Sequence, residues 1–299
     1  MIVESIPNFS EGRRPEVIGR IAEAFESVPG CVLLDKRPDE DHNRTVYTVI
    51  GDPESVLKGL VNAVGVACSE IDMNVHRGEH PRIGACDVIP FVPIRDMTMD
   101  DCIALSRRCA AELWEKYSLP SYFYEESALT PARRNLADIR KGEYEVLKEE
   151  ASLPERRPDV GEPRLHPTAG AVVIGAREPL IAYNVNLSTS DVGIAKAIAK
   201  RMRAKTGGLA YVKALGVMLG ERNVAQVSMN LTNFNKTAVY TVFEMVKMEA
   251  MRYGVSVTGS EVIGMLPLEA LVECARYYLR LEDFKTGQIL ETNLMKGGN

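Results

Sequence analysis

No stretch of this chain comes near the ~20 consecutive apolar residues that a membrane-spanning helix needs. The opening MIVESIPNFSEG has neither a basic leader nor a long apolar run. The expectation is a cytoplasmic protein with no membrane partner. Positive charge is also short: 36 Lys and Arg against 41 Asp and Glu leave a net charge of −5. A nucleic-acid partner therefore has no overall electrostatic support, and no strand carries the spaced aromatics of an RNA-binding platform. An anionic small molecule would need a local basic site. The cysteines Cys31, Cys68, Cys86, Cys102, Cys109 and Cys274 form no C-x-x-C pair. Several lie among apolar neighbours and read as buried, reduced thiols. A P-loop, a G-x-G-x-x-G after a strand and a G-x-S-x-G turn are all missing, which removes the motif evidence for nucleotide binding and for a serine hydrolase.

What is there is an ordinary globular balance, 299 residues with 45% apolar and 26% charged, enough for about two domains at roughly 150 residues each. IVESIP reads as a short strand. PEVIGRIAEAF follows, with Val17, Ile18, Ile21, Ala22 and Phe25 at helical spacing behind Pro15. CVLLD reads as a buried strand and RTVYTVIG as a second, joined by the polar loop KRPDEDHN into a long-looped hairpin. Asp52 caps a helix with Pro53 at its first position and Val56, Leu57, Leu60, Val61 and Val64 as its stripe. DVIPFVPI is a strand whose prolines put it at an edge or a bulge. The order β-α-β-β-α-β is that of a ferredoxin-like unit.

The second half repeats it. LIAYNVNL is a strand, and Ser190 caps DVGIAKAIAKRM. LAYVKALGVML and NVAQVSMNL are strands joined by the tight turn GERN. AVYTVFEMVKMEAMRYG is a helix ending at Gly254, and VSVTGSEVIG closes the unit. A last helix starts at Pro267 with Leu271, Val272, Ala275, Tyr278 and Leu279 on its core face. Between the repeats lie two more helices, DDCIALSRRCAAELWEKY and NLADIRKGEYEVL, and the strand SYFYE. A proline-rich crossing segment follows at residues 149–170. The expected fold is α/β (α+β): two tandem ferredoxin-like βαββαβ subdomains, with a substrate groove between their open sheet faces.

All four histidines fall in predicted loops: His42, His76, His80 and His166. NVHRGEHPRIGA, residues 74–85, holds two of them and admits two readings. As H-x-x-E-H, the set His76, Glu79 and His80 would be a zinc hydrolase site on one helix face. Gly78 and Pro81 oppose that helix, and Arg77 and Arg82 oppose a dication. As a loop, the stretch places His80 for proton transfer. Arg77 and Arg82 would hold a carboxylate, Gly78 and Gly84 would admit backbone close to a ligand, and Glu79 or Asp72 would orient the ring. Asn43 and Arg44 enter a strand within reach of the same site. Asn8 and Ser10 stand before a helix start, a candidate anion cradle that simple capping by Ser10 also explains.

In order, IPNFSEG, PGCVLLD, NRTVYT, HRGEHPRIGA, IRKGEYE, RPDVGEP, NVNL, NVAQVSMNL and GSEVIGMLPLEAL run through the chain. This pattern resembles the glutamate formimidoyltransferases, the formiminotransferase half of formimidoyltransferase-cyclodeaminase, over about residues 2–283. The resemblance implies an N-terminal formiminotransferase subdomain at 1–178 and a C-terminal one at 179–299, assembled as a homodimer. It implies transfer of the formimino group from N-formimino-L-glutamate to N5 of tetrahydrofolate in histidine degradation, with tetrahydrofolate as co-substrate and no metal. His80 would be the catalytic residue. Asn8, Asn43, Arg44, Arg77, Arg82 and Gly84 would bind substrate. The folate stretch would be Gly161, Glu162, Pro163, Arg164, Leu165, His166, Pro167, Thr168, Ala169 and Gly170, of which Gly161, Pro163, Pro167 and Gly170 match the family pattern. No cyclodeaminase domain follows, so deamination is expected from a separate protein. Transfer of a formyl group between N-formylglutamate and 5-formyltetrahydrofolate, a zinc hydrolase, and a non-catalytic folate-binding module stand as the alternatives.

Overall fold

Pro15, Asp52 and the two prolines of residues 86–95 punctuate the first half of the chain, and each sits where its backbone chemistry is tolerated. In the computed structural model, which describes residues 1–220 and 222–296, the chain divides into two compact units, Met1–Glu178 and Pro179–Asn299.

The first unit begins with β1 (Ile2–Ser5), β2 (Asn8–Phe9) and α1 (Pro15–Glu26). It continues with β3 (Cys31–Asp39), β4 (Arg44–Gly51), α2 (Pro53–Glu70) and β5 (Cys86–Arg95). Pro15 occupies the first turn of α1, and the five expected apolar residues of that helix are all buried. Phe9, Phe25 and Tyr47 lock helix to sheet through ring contacts 5.4–6.3 Å between centroids. The Asp52 carboxylate accepts from the Ser55 amide and caps α2.

The strands lie in the order β3-β4-β1-β5, with β2 continuing β1 between β4 and β5. β5 is interior, because β7 (Val172–Ala176) pairs with it in parallel and β6 (Ser121–Glu125) pairs with β7. Of the two placements expected for β5, an edge or a bulge, the bulge is the one found. Val3 faces Pro93 while Ile2 faces Arg95, leaving Ile94 as the extra residue. Pro90 lies opposite the break between β1 and β2, since the ladder pairs Ser5 with Phe91 and Asn8 with Val88. Toward β1 and β2, then, both prolines fall at irregularities, while toward β7 Pro90 stays in register with Gly175.

Three other expectations are corrected here. β3 is an edge strand with Val32 and Leu34 exposed, and it runs on through Lys36–Asp39, so the hairpin loop is only 40–43. Cross-strand pairing to β4 outweighs the polar character of that stretch. The expected second helix of the insert is broken into α4 (Leu136–Ile139) and α5 (Glu143–Glu150), after α3 (Met99–Tyr117). Gly142 and Glu143 take left-handed backbone at the break. Residues 149–170 do not cross to the second unit: β7 returns the chain to the first sheet. VVIGA is a wholly buried parallel strand with no alternation to reveal it.

The second unit runs β8 (Ile181–Leu187), α6 (Val192–Met202), β9 (Val212–Leu219), β10 (Val224–Leu231), α7 (Val239–Met251), β11 (Val257–Ile263) and α8 (Leu268–Leu279). Its strand order, β9-β10-β8-β11, repeats that of the first four-stranded core, with every pair antiparallel. Asp191, not Ser190, caps α6 through the Gly193 amide. In the turn before β10, Glu221 lies outside the described residues, and the Asn223 amide donates to the Gly220 carbonyl. On α8 the buried residues are Ala270 and Val272, while Leu271, Tyr278 and Leu279 are exposed. Helical spacing finds a stripe, but the centre of the buried face is one residue away from the expected one.

Candidate active site

The site is built where the β3–β4 turn meets the loop between α2 and β5. Asp39 ends β3, and its carboxylate takes both the His42 amide, at 3.0 Å, and His42 Nδ1, at 2.6 Å. Asn43 follows in left-handed backbone. Its side chain accepts from the Gly12 amide at 3.0 Å and donates to the Arg77 carbonyl at 2.8 Å. Gly78 lies so close to this turn that a Cβ would meet the His42 carbonyl oxygen at 2.3 Å. Turn and loop can close on each other only because residue 78 has no side chain.

That closure leaves a small cavity lined by Asn8, His42, Asn43, Arg44, His80 and Asp87, with Ser10, His76 and Arg82 at its wall. His80 stands edge-on to His42, ring centroids 6.1 Å apart. Burial, reinforced by the charges of Arg44 and Arg140, drives the His80 ring from its ordinary 6.5 down to about 3. His80 is thus a neutral imidazole at neutral pH. Asp87 reaches the cavity through a second bulge: Asn8 faces Val88 and Phe9 faces Cys86, so Asp87 is the extra residue. Its carboxylate accepts from the Ile83 amide at 2.8 Å and pairs with Arg140.

The family model of the formiminotransferase domain, N-terminal subdomain, matches residues 2–177, and that of the formiminotransferase domain matches residues 182–295. The chain belongs to the formiminotransferase family. It is 48% identical to a glutamate formimidoyltransferase of Streptococcus pyogenes, over 98% of this chain and 99% of that one. It is 46% identical to a glutamate formimidoyltransferase of Thermoplasma acidophilum, over 100% of this chain and 99% of that one. The formimidoyltransferase-cyclodeaminase of Mus musculus is 45% identical over 93% of this chain, which corresponds to 52% of the longer protein.

In this formiminotransferase the residues singled out in the sequence fall into three groups. Asn8, Asn43, Arg44, Arg82 and His80 come together at the cavity. Arg77 is exposed beside it and donates to the Asn74 and His76 carbonyls. Gly84 packs on backbone instead: a Cβ there would meet the Ala171 carbonyl at 2.0 Å. Arg82 is fully engaged, with its guanidinium on Glu143 and Glu145 at 2.6–2.9 Å and its Nε on His76 Nδ1 at 3.3 Å. It braces the loop and offers no free fork to a carboxylate. His76 also donates from Nε2 to the Asn43 carbonyl at 3.0 Å, so both its ring nitrogens are occupied. Residues 74–85 form no helix. The H-x-x-E-H zinc arrangement therefore fails on geometry: one of its two histidines has no nitrogen to give. Neither Glu79 nor Asp72 makes a hydrogen bond to His80.

Residues 161–170 pack behind the histidine loop. Met73 donates to the Thr168 carbonyl at 2.8 Å, Asn74 to the Pro167 carbonyl at 2.9 Å, and Ala85 to the Ala169 carbonyl at 2.9 Å. His166 Nδ1 accepts from the Ala169 amide at 2.9 Å, which shapes the bend. Gly161–Arg164 stay exposed, with an Arg164–Glu162 pair at 2.7 Å.

Three residues of the site had not been singled out in the sequence: Asp39, Asp87 and Arg140. Asp39 sits three residues before His42, a spacing that could have marked it as a ring partner. Asp87 and Arg140 lie 53 residues apart and carry no local signal.

Proposed function

We propose that this formiminotransferase moves the formimino group from N-formimino-L-glutamate to N5 of tetrahydrofolate, releasing L-glutamate. The observation that carries the reading is His80, an uncharged imidazole beside the unpaired guanidinium of Arg44 in one cavity. Tetrahydrofolate, as co-substrate, supplies the accepting nitrogen. When that nitrogen bonds to the amidine carbon it must lose a proton, and His80 takes it. The tetrahedral centre collapses when the glutamate nitrogen leaves protonated, and His80 returns the proton there. Holding both substrates against His80 supplies the larger, entropic share of the rate. Arg44 fits a carboxylate of the donor.

The exposed turn Gly161–Arg164 is the longest open part of residues 161–170 for folate: Leu165, Ala169 and Gly170 are buried, His166 and Thr168 bond internally, and of the rest Pro167 alone is exposed. The Arg164 guanidinium there is paired with Glu162 through Nε only, which leaves its two outer nitrogens for an anionic tail. The same reading takes a cytoplasmic homodimer as the working unit, which light scattering of the purified protein tests. For the reaction, the purified chain is incubated with N-formimino-L-glutamate and tetrahydrofolate. Glutamate release that needs both substrates supports the reading, and release that ignores tetrahydrofolate sinks it.

A further inference from the structure

Arg44, which lines the cavity, and Arg140, which bonds the cavity residue Asp87, each have a buried nitrogen with nothing to bond. Arg44 Nε and Arg140 Nε are both sealed from solvent and lack a hydrogen-bond partner. The Arg44 guanidinium makes no hydrogen bond or ion pair among the described residues. Arg140 gives one nitrogen to Asp87, which is anchored by the Ile83 amide. A guanidinium carries five donors in a fixed fork, and unsatisfied buried donors on this scale need an acceptor. Surface arginines of this chain, such as Arg108 on Glu54 at 2.6 and 2.7 Å, find theirs. Arg82, the arginine of the histidine loop, is already consumed by Glu143 and Glu145.

We infer that Arg140, held by Asp87, joins Arg44 as a two-armed receptor for the α-carboxylate of the glutamyl donor. This rests on the transfer reading above and names the subsite. The choice of carboxylate follows from covalent distance. The donor's α-carboxylate is attached one carbon from the nitrogen that bears the formimino group, so it must lie beside the reacting centre and beside His80. The distal carboxylate lies farther along the side chain, and the glutamate of folate lies beyond its aminobenzoyl ring. Arg140 and Arg44 both depress the His80 imidazole, which places both charges within electrostatic reach of it. Asp87 is a positioning residue: it aims Arg140 and fills one of its donors, leaving the rest for ligand.

The test compares two donors and two acceptors. N-formimino-2-aminobutyrate keeps the α-carboxylate and lacks the distal one, and N-formimino-4-aminobutyrate does the reverse. The wild type should use the first at least ten-fold better. R140Q should raise KM for the first roughly 10–100-fold, the loss of a charge-assisted hydrogen bond, with kcat changed far less, and should act only a few-fold on the second. R140K, which keeps the charge and loses the fork, should recover less than half of that loss on a logarithmic scale. D87N should move KM in the same direction as R140Q. An equal R140Q penalty on both donors overturns the inference, as does a penalty that vanishes when tetrahydropteroate, which lacks the glutamate, replaces tetrahydrofolate. Should R140Q not fold by circular dichroism, the wild-type donor comparison decides. Should no donor react with any acceptor, the transfer reading fails, and calorimetric binding of L-glutamate against 4-aminobutyrate decides the receptor by itself: glutamate binding weakened ten-fold or more in R140K supports it, and absent or unchanged binding overturns it.

Discussion

His80 and His42 meet ring edge to ring face at 6.1 Å and are held differently: His42 is fixed through Nδ1 by the Asp39 carboxylate, while among the described residues no side chain hydrogen-bonds the His80 ring, whose partner is the Pro81 backbone. The His80 ring lines the cavity with no carboxylate holding it. The tethered ring forms the wall against which it sits.

Replacing His80 by alanine removes the proposed proton carrier from a half-buried position at the cavity. Transfer should fall by about 10²–10⁴ while the melting temperature stays within a few degrees. Activity within a few-fold of wild type in steady-state assays would end the assignment.

The His80 ring is held near 3 against an ordinary 6.5 by burial and then by Arg44, Arg140 and His42. Between those values the unfolded chain binds a proton there that the folded chain refuses. The contribution of His80 to stability is therefore complete above 6.5 and is lost as pH falls from there toward 3. The imidazole resonances of His80 should stay flat from about pH 8 to pH 5 by NMR. Bound glutamate should shift the titration upward, because a carboxylate between Arg44 and Arg140 offsets the two charges that depress it. A midpoint at the ordinary value in the free protein would contradict the site's electrostatics.

Asp39→Asn keeps the volume and weakens the grip on His42. Its carboxyl is pushed up by burial, yet the His42 amide and ring bring it below the usual carboxylate range. With that acceptor weakened, kcat should drop about ten-fold with KM for either substrate nearly constant. A change confined to KM would place Asp39 on a substrate instead.

Gly78→Ala should cost activity more than stability. The added methyl meets the His42 carbonyl at 2.3 Å, so the histidine loop must move away from the β3–β4 turn. A fall in kcat of about 10²-fold is expected from a shift on the order of 1 Å. A crystal structure with the loop unmoved and the rate unchanged would refute this.

Arg82→Ala should behave the opposite way. Its guanidinium side chain is 7% exposed, but Glu143 and Glu145 are 41% and 54% exposed and can rehydrate. The expected loss is about 1–2 kcal/mol in denaturant unfolding. A large rise in KM at unchanged stability would return Arg82 to the substrate.

Much of this architecture is legible in residue order alone. Helical spacing finds α1 and α2 because one face of each is apolar, and alternation finds β10 because one of its faces is polar. Gly78 and Pro81 oppose a zinc-binding helix, and residues 74–85 form none. The spaced motif G-E-H-P-R at residues 78–82 points to the family. What is uniform in burial escapes: β7 has no polar face to set a period, and Leu271 and Leu279 are apolar yet exposed.

By itself the sequence determined the two repeated units and the family, and it singled out the histidine proposed here to move the proton. Each of these is written in local pattern, in the residues a few places before and after. Tertiary structure alone decided which charges face that histidine. Arg82 finds Glu143 and Glu145 at 61 and 63 residues' distance, and Arg140 finds Asp87 at 53. An arginine in a sequence is only a cation. Whether it is consumed by a neighbour or left open to a ligand depends on which acceptors folding brings within about 3 Å of its fork, and no local pattern encodes that.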